Sequence, residues 1–192
     1  RRNQLLKKDL DWCDVIIPLA CLVGFPLCDK KPREAVEVNY EINRWIAESK
    51  RDDQILIYPC TNSGYGVSVG GSVCTEESPL NPVSLYGQTK VDAEKVYQKT
   101  EGCCTLRLAT VFGPSSRART DLLVNNFVLK ALKEPVEIIQ AEFNSDPDKR
   151  DYIVSSQKIY DLGFQCKYDL DDGIKQLLTM YKLIDEPWYA NY

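Results

Sequence analysis

The sequence predicts an α/β chain built on a doubly wound parallel sheet, and three observations carry that expectation. Short apolar runs of strand length alternate with longer segments of helical period from residue 14 to residue 132. The stretches rich in Gly, Ser and Pro fall between those segments rather than inside them. With 192 residues, 44% hydrophobic and 27% charged, the composition is that of a globular domain with a real core.

The elements follow in order. Residues 14–19, DVIIPL, read as a buried strand, a β-branched run entered from Asp14 and ended near Pro18. Residues 32–49 read as a helix: Pro32 suits its first turn, Glu34 and Glu37 suit its positive end, and Ala35, Val38, Ile42, Trp45 and Ile46 recur at helical spacing. QILIY (54–58) is a second buried strand, and TNSGYGVSVGGSVCTEESPLNP (61–82) is a loop by composition. Its glycines, Gly64, Gly66, Gly70 and Gly71, lack the Gly-Lys-Ser/Thr that completes a phosphate cradle. Helix returns over 82–99, CTLRLATVF (104–112) is a third strand stopped by Gly113-Pro114, and 121–132 is another helix. VEII (136–139) reads as a fourth strand. Beyond residue 140 the pattern weakens: EFNSDPDKRD is polar, IVSSQKIYDLGF is a short strand or turn running into a helix, and 169–184 closes as an amphipathic helix.

Charge and cysteine usage remove several functions. The net charge is −4, with Lys and Arg scattered among Asp and Glu, so no basic stripe points to a nucleic acid. No apolar run approaches the roughly 20 residues that span a bilayer. The opening RRNQLLKKDLDWCD has no signal-peptide stretch. The 8 cysteines form no C-x-x-C pair, and there is no histidine to complete a zinc set, so no metal is expected. Cys13, Cys21, Cys60 and Cys104 sit in or beside apolar runs, which suits reduced thiols and a cytoplasmic location. A chain without histidine has no Ser-His-Asp or Cys-His mechanism; its acid–base chemistry falls to Tyr, Lys, carboxylates or a thiol.

Tyr86 and Lys90 lie four apart inside the 82–99 helix and share one face. A phenol ionises near pH 10, too high for a good base, and a nearby ammonium stabilises the phenolate. The same Lys can bond ribose hydroxyls. Thr61 follows the second strand, on the side where open α/β sheets bind ligands, and its hydroxyl can hold a reacting alcohol while Tyr86 takes or returns the proton. The implied chemistry is hydride transfer between a secondary alcohol and a nicotinamide ring. Taken alone, Tyr-x-x-x-Lys is a weak string that also arises on solvated helix faces.

Its context is more specific. DVIIPLACLVG, VNYEINRWI, ILIYPCTNSGYG, TEESPLNPVSLYGQTKVDAEK and LRLATVFGPSSRARTDLLVNNFV stand in the order and spacing of the extended short-chain dehydrogenase/reductase superfamily, in its nucleotide-sugar epimerase and dehydratase branch. The sequence resembles that family from about Asp11 to Leu132, and again from about Asp146 to Tyr181. The resemblance implies a Rossmann-like fold and NAD as cofactor, with NADP left open. It implies Thr61, Tyr86 and Lys90 as catalytic residues and Asn39 as a structural Asn. Leu19, Ala20, Pro59 and Leu108 join Tyr86 and Lys90 as the implied cofactor contacts. Asn62, Ser63, Thr110, Arg117, Arg119 and Asn126 are the implied contacts to a nucleotide-sugar substrate oxidised at C4, heptoses included. Related enzymes pair through the 82–99 helix and its neighbour, so a homodimer is expected.

Two departures shape the expected domains. The family's opening strand and Gly-x-x-Gly-x-x-Gly turn are not in the sequence, and VEIIQ joins AEFNSDPDKRDY where the family inserts part of its sugar-nucleotide domain. Residues 1–140 are therefore expected to form a partial dinucleotide-binding domain, and 141–192 a remnant of the substrate domain. A catalytically silent fragment serving as a binding or oligomerisation module is the alternative. Arg117 and Arg119 suit a diphosphate or plain solvation, and Asn125 and Asn126 suit a substrate amide or a buried Asn satisfied by backbone. Cys60, with no cationic partner evident in sequence, is a poor nucleophile.

Overall fold

The apolar runs become parallel strands, but their lengths differ from the sequence reading. The computed structural model describes residues 2–67, 73–137 and 152–184. In chain order these hold α1 (Arg2–Trp12), β1 (Val15–Ile16), α2 (Phe25–Lys30), α3 (Pro32–Val36), a π turn (Glu37–Glu41) and α4 (Ile42–Ser49). They continue with β2 (Ile55–Thr61), a 3-10 turn (Asn62–Tyr65), β3 (Val73–Cys74), α5 (Leu85–Tyr97), β4 (Cys103–Leu108) and α6 (Leu123–Lys133). β5 (Ile153–Val154), α7 (Gln157–Asp161) and α8 (Leu170–Leu183) close the order. The chain divides into two compact units, 1–109 with 148–155 and 110–147 with 156–192.

In the first unit β1, β2 and β4 form a parallel sheet in that order, with Val15 opposite Ile55 and Leu56 opposite Cys103. Alternation along β2 sends Leu56, Tyr58 and Cys60 to one face, where they pack with Leu10, Ile46, Ala93 and Tyr97 from α1, α4 and α5. Tyr58 and Tyr97 stack tilted at 4.9 Å, and Tyr97 donates its hydroxyl to Asn43 Oδ1. The opposite face keeps Val15 49%, Ile55 55% and Leu108 41% exposed. A second, two-residue parallel pairing joins β3 to β5.

The 14–19 strand shrinks to Val15–Ile16, because Pro18 has no N–H to extend the ladder and the chain turns irregular until α2. The 54–58 strand instead runs on to Thr61, past Pro59: pairing with β1 ends at Leu56, so the missing N–H of Pro59 costs no bond on that side. The 104–112 strand stops at Leu108. Of the 136–139 strand, residues 136–137 are irregular and 138–139 lie outside the described residues, as do Gly70, Gly71 and most of DPDKRDY. Residues 32–49 are helical throughout, with the π turn inserted at 37–41. Helix α1 was not anticipated: its apolar residues are Leu5, Leu6, Leu10 and Trp12 amid seven polar ones, and its last carbonyls are satisfied from outside, by Gln54 Nε2 on Leu10 and Cys13 and by the Arg51 guanidinium on Leu10 and Asp11. Cys104 is exposed rather than buried.

The second unit rests on α6 and α8, whose Val128, Leu129, Leu177 and Tyr181 form its core with Phe112 and Ile174 packed against it. A reciprocal cap starts α8: Asp169 accepts from Asp172 N at 2.8 Å, and Asp172 accepts from Asp169 N at 3.3 Å.

Candidate active site

The end of β2 turns directly into the site. Thr61 caps the 3-10 turn, its Oγ1 accepting from Ser63 N at 3.1 Å and donating to Ser63 Oγ at 3.0 Å. Helix α5 starts on Ser84, whose hydroxyl accepts from Gly87 N at 3.2 Å. The helix can come down on this turn because two contact positions carry no Cβ. A Cβ at Gly64 meets Val91 Cγ2 at 2.7 Å, and one at Gly87 meets Ser63 O at 3.2 Å. Those two glycines bring the first turn of α5, and Tyr86 with it, against Thr61. From there the Thr61 side chain favours the ionised form of the Tyr86 phenol.

Lys90 follows one turn later and is 5% exposed. Its Nζ donates to Pro59 O at 2.6 Å and stands 4.0 Å from the centre of the Tyr58 ring. The Pro59 carbonyl can accept it because pairing with β1 has ended three residues earlier. Burial holds the ammonium below its ordinary value, with Cys21, Cys60 and Glu94 pulling the other way. The phenol does not stand where Lys90 alone would put it. Burial, reinforced by Cys21, pushes Tyr86 up to about 12 against the opposing influence of Thr61. Cys60 does have a cation near it, since Lys90 pulls its thiol down, but burial and Glu94 raise it to about 12, an inert value.

The donor set fits a nicotinamide nucleotide with an alcohol beside it. An ammonium carries three donors, and Lys90 spends one on Pro59. The Oδ1 of Asn62 is buried beside Thr61 with no partner, an acceptor suited to a ligand hydroxyl. Leu19 and Ala20 are exposed beyond the C-terminal end of β1, Leu108 is the exposed last residue of β4, and Pro59 is half-buried on β2 between those strands. Asn39, brought in by the π turn, fixes the loop that carries Leu19 and Ala20: its side chain accepts from Leu22 N at 2.8 Å and donates to Leu22 O at 3.0 Å. It also donates to Thr89 Oγ1 of α5 at 3.3 Å. Among the described residues no cluster of His, Cys, Asp or Glu could hold a metal ion.

Thr61, Asn62, Ser63, Tyr86 and Lys90 thus meet in the first unit, with Leu19, Ala20, Pro59 and Leu108 on the same unit. Thr110, Arg117, Arg119 and Asn126 belong to the second. There Thr110 and Arg117 are exposed, and Arg119 holds Asp121 through Nε and Nη2. Asn126 donates to Thr120 O at 2.9 Å. Asn125, 1% exposed, is satisfied by the backbone of Arg119 and Gly113. Sequence reasoning passed over Tyr58 under Lys90 and the buried pair of Glu94 with Arg107; in sequence Glu94 is one more charge on a helix, although its spacing of i+4 from Lys90 was visible.

Comparison with known proteins gives this geometry its setting. The model of one family, NAD dependent epimerase/dehydratase, matches residues 2–156. A curated Bacillus subtilis (strain 168) protein named Uncharacterized UDP-glucose epimerase YtcB is 32% identical over 105 residues, 52% of this chain and 31% of the relative, so the match spans about a third of that protein. The UDP-glucuronic acid 4-epimerase from Bacillus cereus in complex with NAD superposes with a TM-score of 0.74 at 18% identity, over 99% of this chain and 79% of that one. A second structure of it, with UDP-glucuronic acid and NAD, aligns at 27% identity and a TM-score of 0.56 over 67% of this chain and 42% of that one. MoeE5 in complex with UDP-glucuronic acid and NAD gives 0.75 at 18% identity, over 93% of this chain and 82% of that one. The shared fold is a Rossmann-like parallel α/β sheet.

Proposed function

Because the chain belongs to the NAD-dependent epimerase/dehydratase family, we propose that it oxidises or epimerises a nucleotide-activated sugar at a secondary alcohol, C4 in the simplest case. NAD, when bound, supplies the hydride acceptor for that carbon. Thr61 holds the reacting hydroxyl. Tyr86 removes its proton as general base and returns it as general acid on the reverse step. Lys90 bonds ribose hydroxyls and, together with the nicotinamide cation when bound, stabilises the phenolate against the burial that raises Tyr86. Asn62 and Ser63 orient the sugar. Leu19, Ala20, Pro59 and Leu108 line the nicotinamide side. A homodimer in the cytoplasm completes the reading.

The observation that carries it is the buried Lys90 one turn behind Tyr86 on α5, its ammonium on Pro59 O in the strand that delivers Thr61. The compounds to test first are UDP-glucuronic acid and UDP-glucose, which accompany NAD in structures of similar proteins. NADH is expected to form, or the C4 epimer to accumulate, with one of them. A folded protein that binds neither NAD nor NADH overturns the reading. The exposed face of β1, β2 and β4 favours a second reading, an association module, which a monomer at all concentrations in sedimentation excludes.

A further inference from the structure

A second buried charge system sits behind the site. Glu94 lies one turn after Lys90 on α5, and its side chain is 2% exposed. Arg107, on β4 and 10% exposed, donates from Nε to both Glu94 oxygens, at 3.0 and 3.2 Å. Thr105 donates to Oε1 at 3.0 Å, and Cys60 donates its thiol proton to Oε2 at 3.5 Å. From the same guanidinium, Nη1 reaches the Tyr65 hydroxyl at 3.0 Å and Glu76 O at 3.3 Å. Tyr65 ends the turn that begins beside Thr61, so Arg107 touches both α5 and the substrate loop.

The region therefore holds two buried cations and one carboxylate. Lys90 and Glu94 are spaced i, i+4 on one helix face, a separation at which opposite charges meet readily. A lysine stem is long and flexible enough to swing toward such a partner. Yet among the described residues Lys90 has no carboxylate within ion-pair reach, and its ammonium is turned to Pro59 and the Tyr58 ring. What differs between the two cations is that Arg107 has already filled both oxygens of Glu94.

We propose that Arg107 is a positioning residue for Lys90: by occupying Glu94 it keeps that carboxylate from capturing the ammonium, which stays aimed at Pro59 and open to a ligand. The inference rests on the reading of Lys90 as the ligand-binding ammonium. Removing Arg107 leaves a buried carboxylate uncompensated, and the nearest cation to neutralise it is Lys90. The groups that face Lys90 are Tyr58 and Cys60 of β2, Cys21 of the loop after β1, and Glu94 of its own helix.

The test is acetic anhydride labelling of Lys90 as a function of pH, read by peptide mass spectrometry on the full chain. It needs no turnover. In Arg107→Met the labelling midpoint of Lys90 rises by about 1 pH unit, as expected when a carboxylate moves within reach. In the double variant Glu94→Gln/Arg107→Met the midpoint returns toward the wild-type value or below it. A simple packing role for Arg107 predicts instead that the double variant is as perturbed as the single one. An unchanged midpoint in Arg107→Met, or a midpoint that stays high in the double variant, overturns the proposal. If Arg107→Met does not fold, Arg107→Gln decides: a single amide leaves Glu94 partly open, so the Lys90 midpoint still rises, and a fall or no change overturns the proposal. A wild type that never forms NADH sinks the proposed reaction but leaves the labelling result standing, so the two failures are distinct.

Discussion

Thr61 is held by two bonds to Ser63, so its hydroxyl is placed before any substrate arrives. Thr61→Val keeps the shape and removes the oxygen. If Thr61 holds the reacting alcohol, kcat falls by about 10- to 100-fold, the worth of one charge-assisted hydrogen bond, while the Kd for NAD is unchanged. Steady-state kinetics with a parallel NADH titration checks this; an equal loss of NAD affinity would move Thr61 from the substrate to the cofactor. The three residues were legible as residue types at a spacing. Their electrostatics were not. The spacing suggested a phenol drawn down by Lys90, whereas burial of the ring raises it, and Cys21 and Cys60, contributed from distant parts of the chain, add to the rise.

At the scale of elements, the meeting of α5 with the 3-10 turn depends on Gly64 more than on any polar contact. A methyl there lies 2.7 Å from Val91, a β-branched side chain on a helix with little room to turn away. Gly64→Ala should cost about 1–3 kcal/mol in urea unfolding, and should lower kcat further than the stability loss alone by tilting Tyr86 off Thr61. A variant of wild-type stability would show that the helix docks without that clearance. In the second unit Leu177 is fully buried between α6 and α8, and Leu177→Ala is expected to cost about 2–5 kcal/mol. Helices with a clear apolar stripe or a cap, such as 32–49 and 169–184, were readable within a residue or two. Strand ends were not, because pairing decides them: β2 passes through Pro59 only because its neighbour has already stopped. Helix α1 escaped notice because what ends it, Arg51 and Gln54, lies some forty residues away.

For the whole molecule, several buried phenols make alkaline stability a consequence of the fold. Burial raises the ionisation of Tyr58, Tyr86 and Tyr97, with Tyr86 at about 12 against an ordinary value of 10.0. A group whose value is raised on folding stabilises fully below its unfolded value, and that stability is lost as pH rises through the folded one. Melting temperature should therefore hold below about pH 9 and fall steeply above about pH 10. Tyr97→Phe should lose the Asn43 bond at neutral pH yet flatten that alkaline decline, and a decline of unchanged slope would acquit the phenol. The parallel sheet and the family could be read from block order, because each block pairs a strand with the loop at its C-terminal end. The division of the chain at Thr110 could not be read, since it reflects which surfaces bury each other.

The central claim is that Tyr86 carries the proton while the rest of the site binds. The most direct measurement is rapid mixing of NAD-loaded protein with the nucleotide sugar that the wild type turns over, following NADH absorbance in the first turnover for wild type and Tyr86→Phe. The account predicts a burst of NADH in the wild type and none in Tyr86→Phe, with NAD affinity the same in both. NADH formed by Tyr86→Phe at the wild-type rate would contradict it.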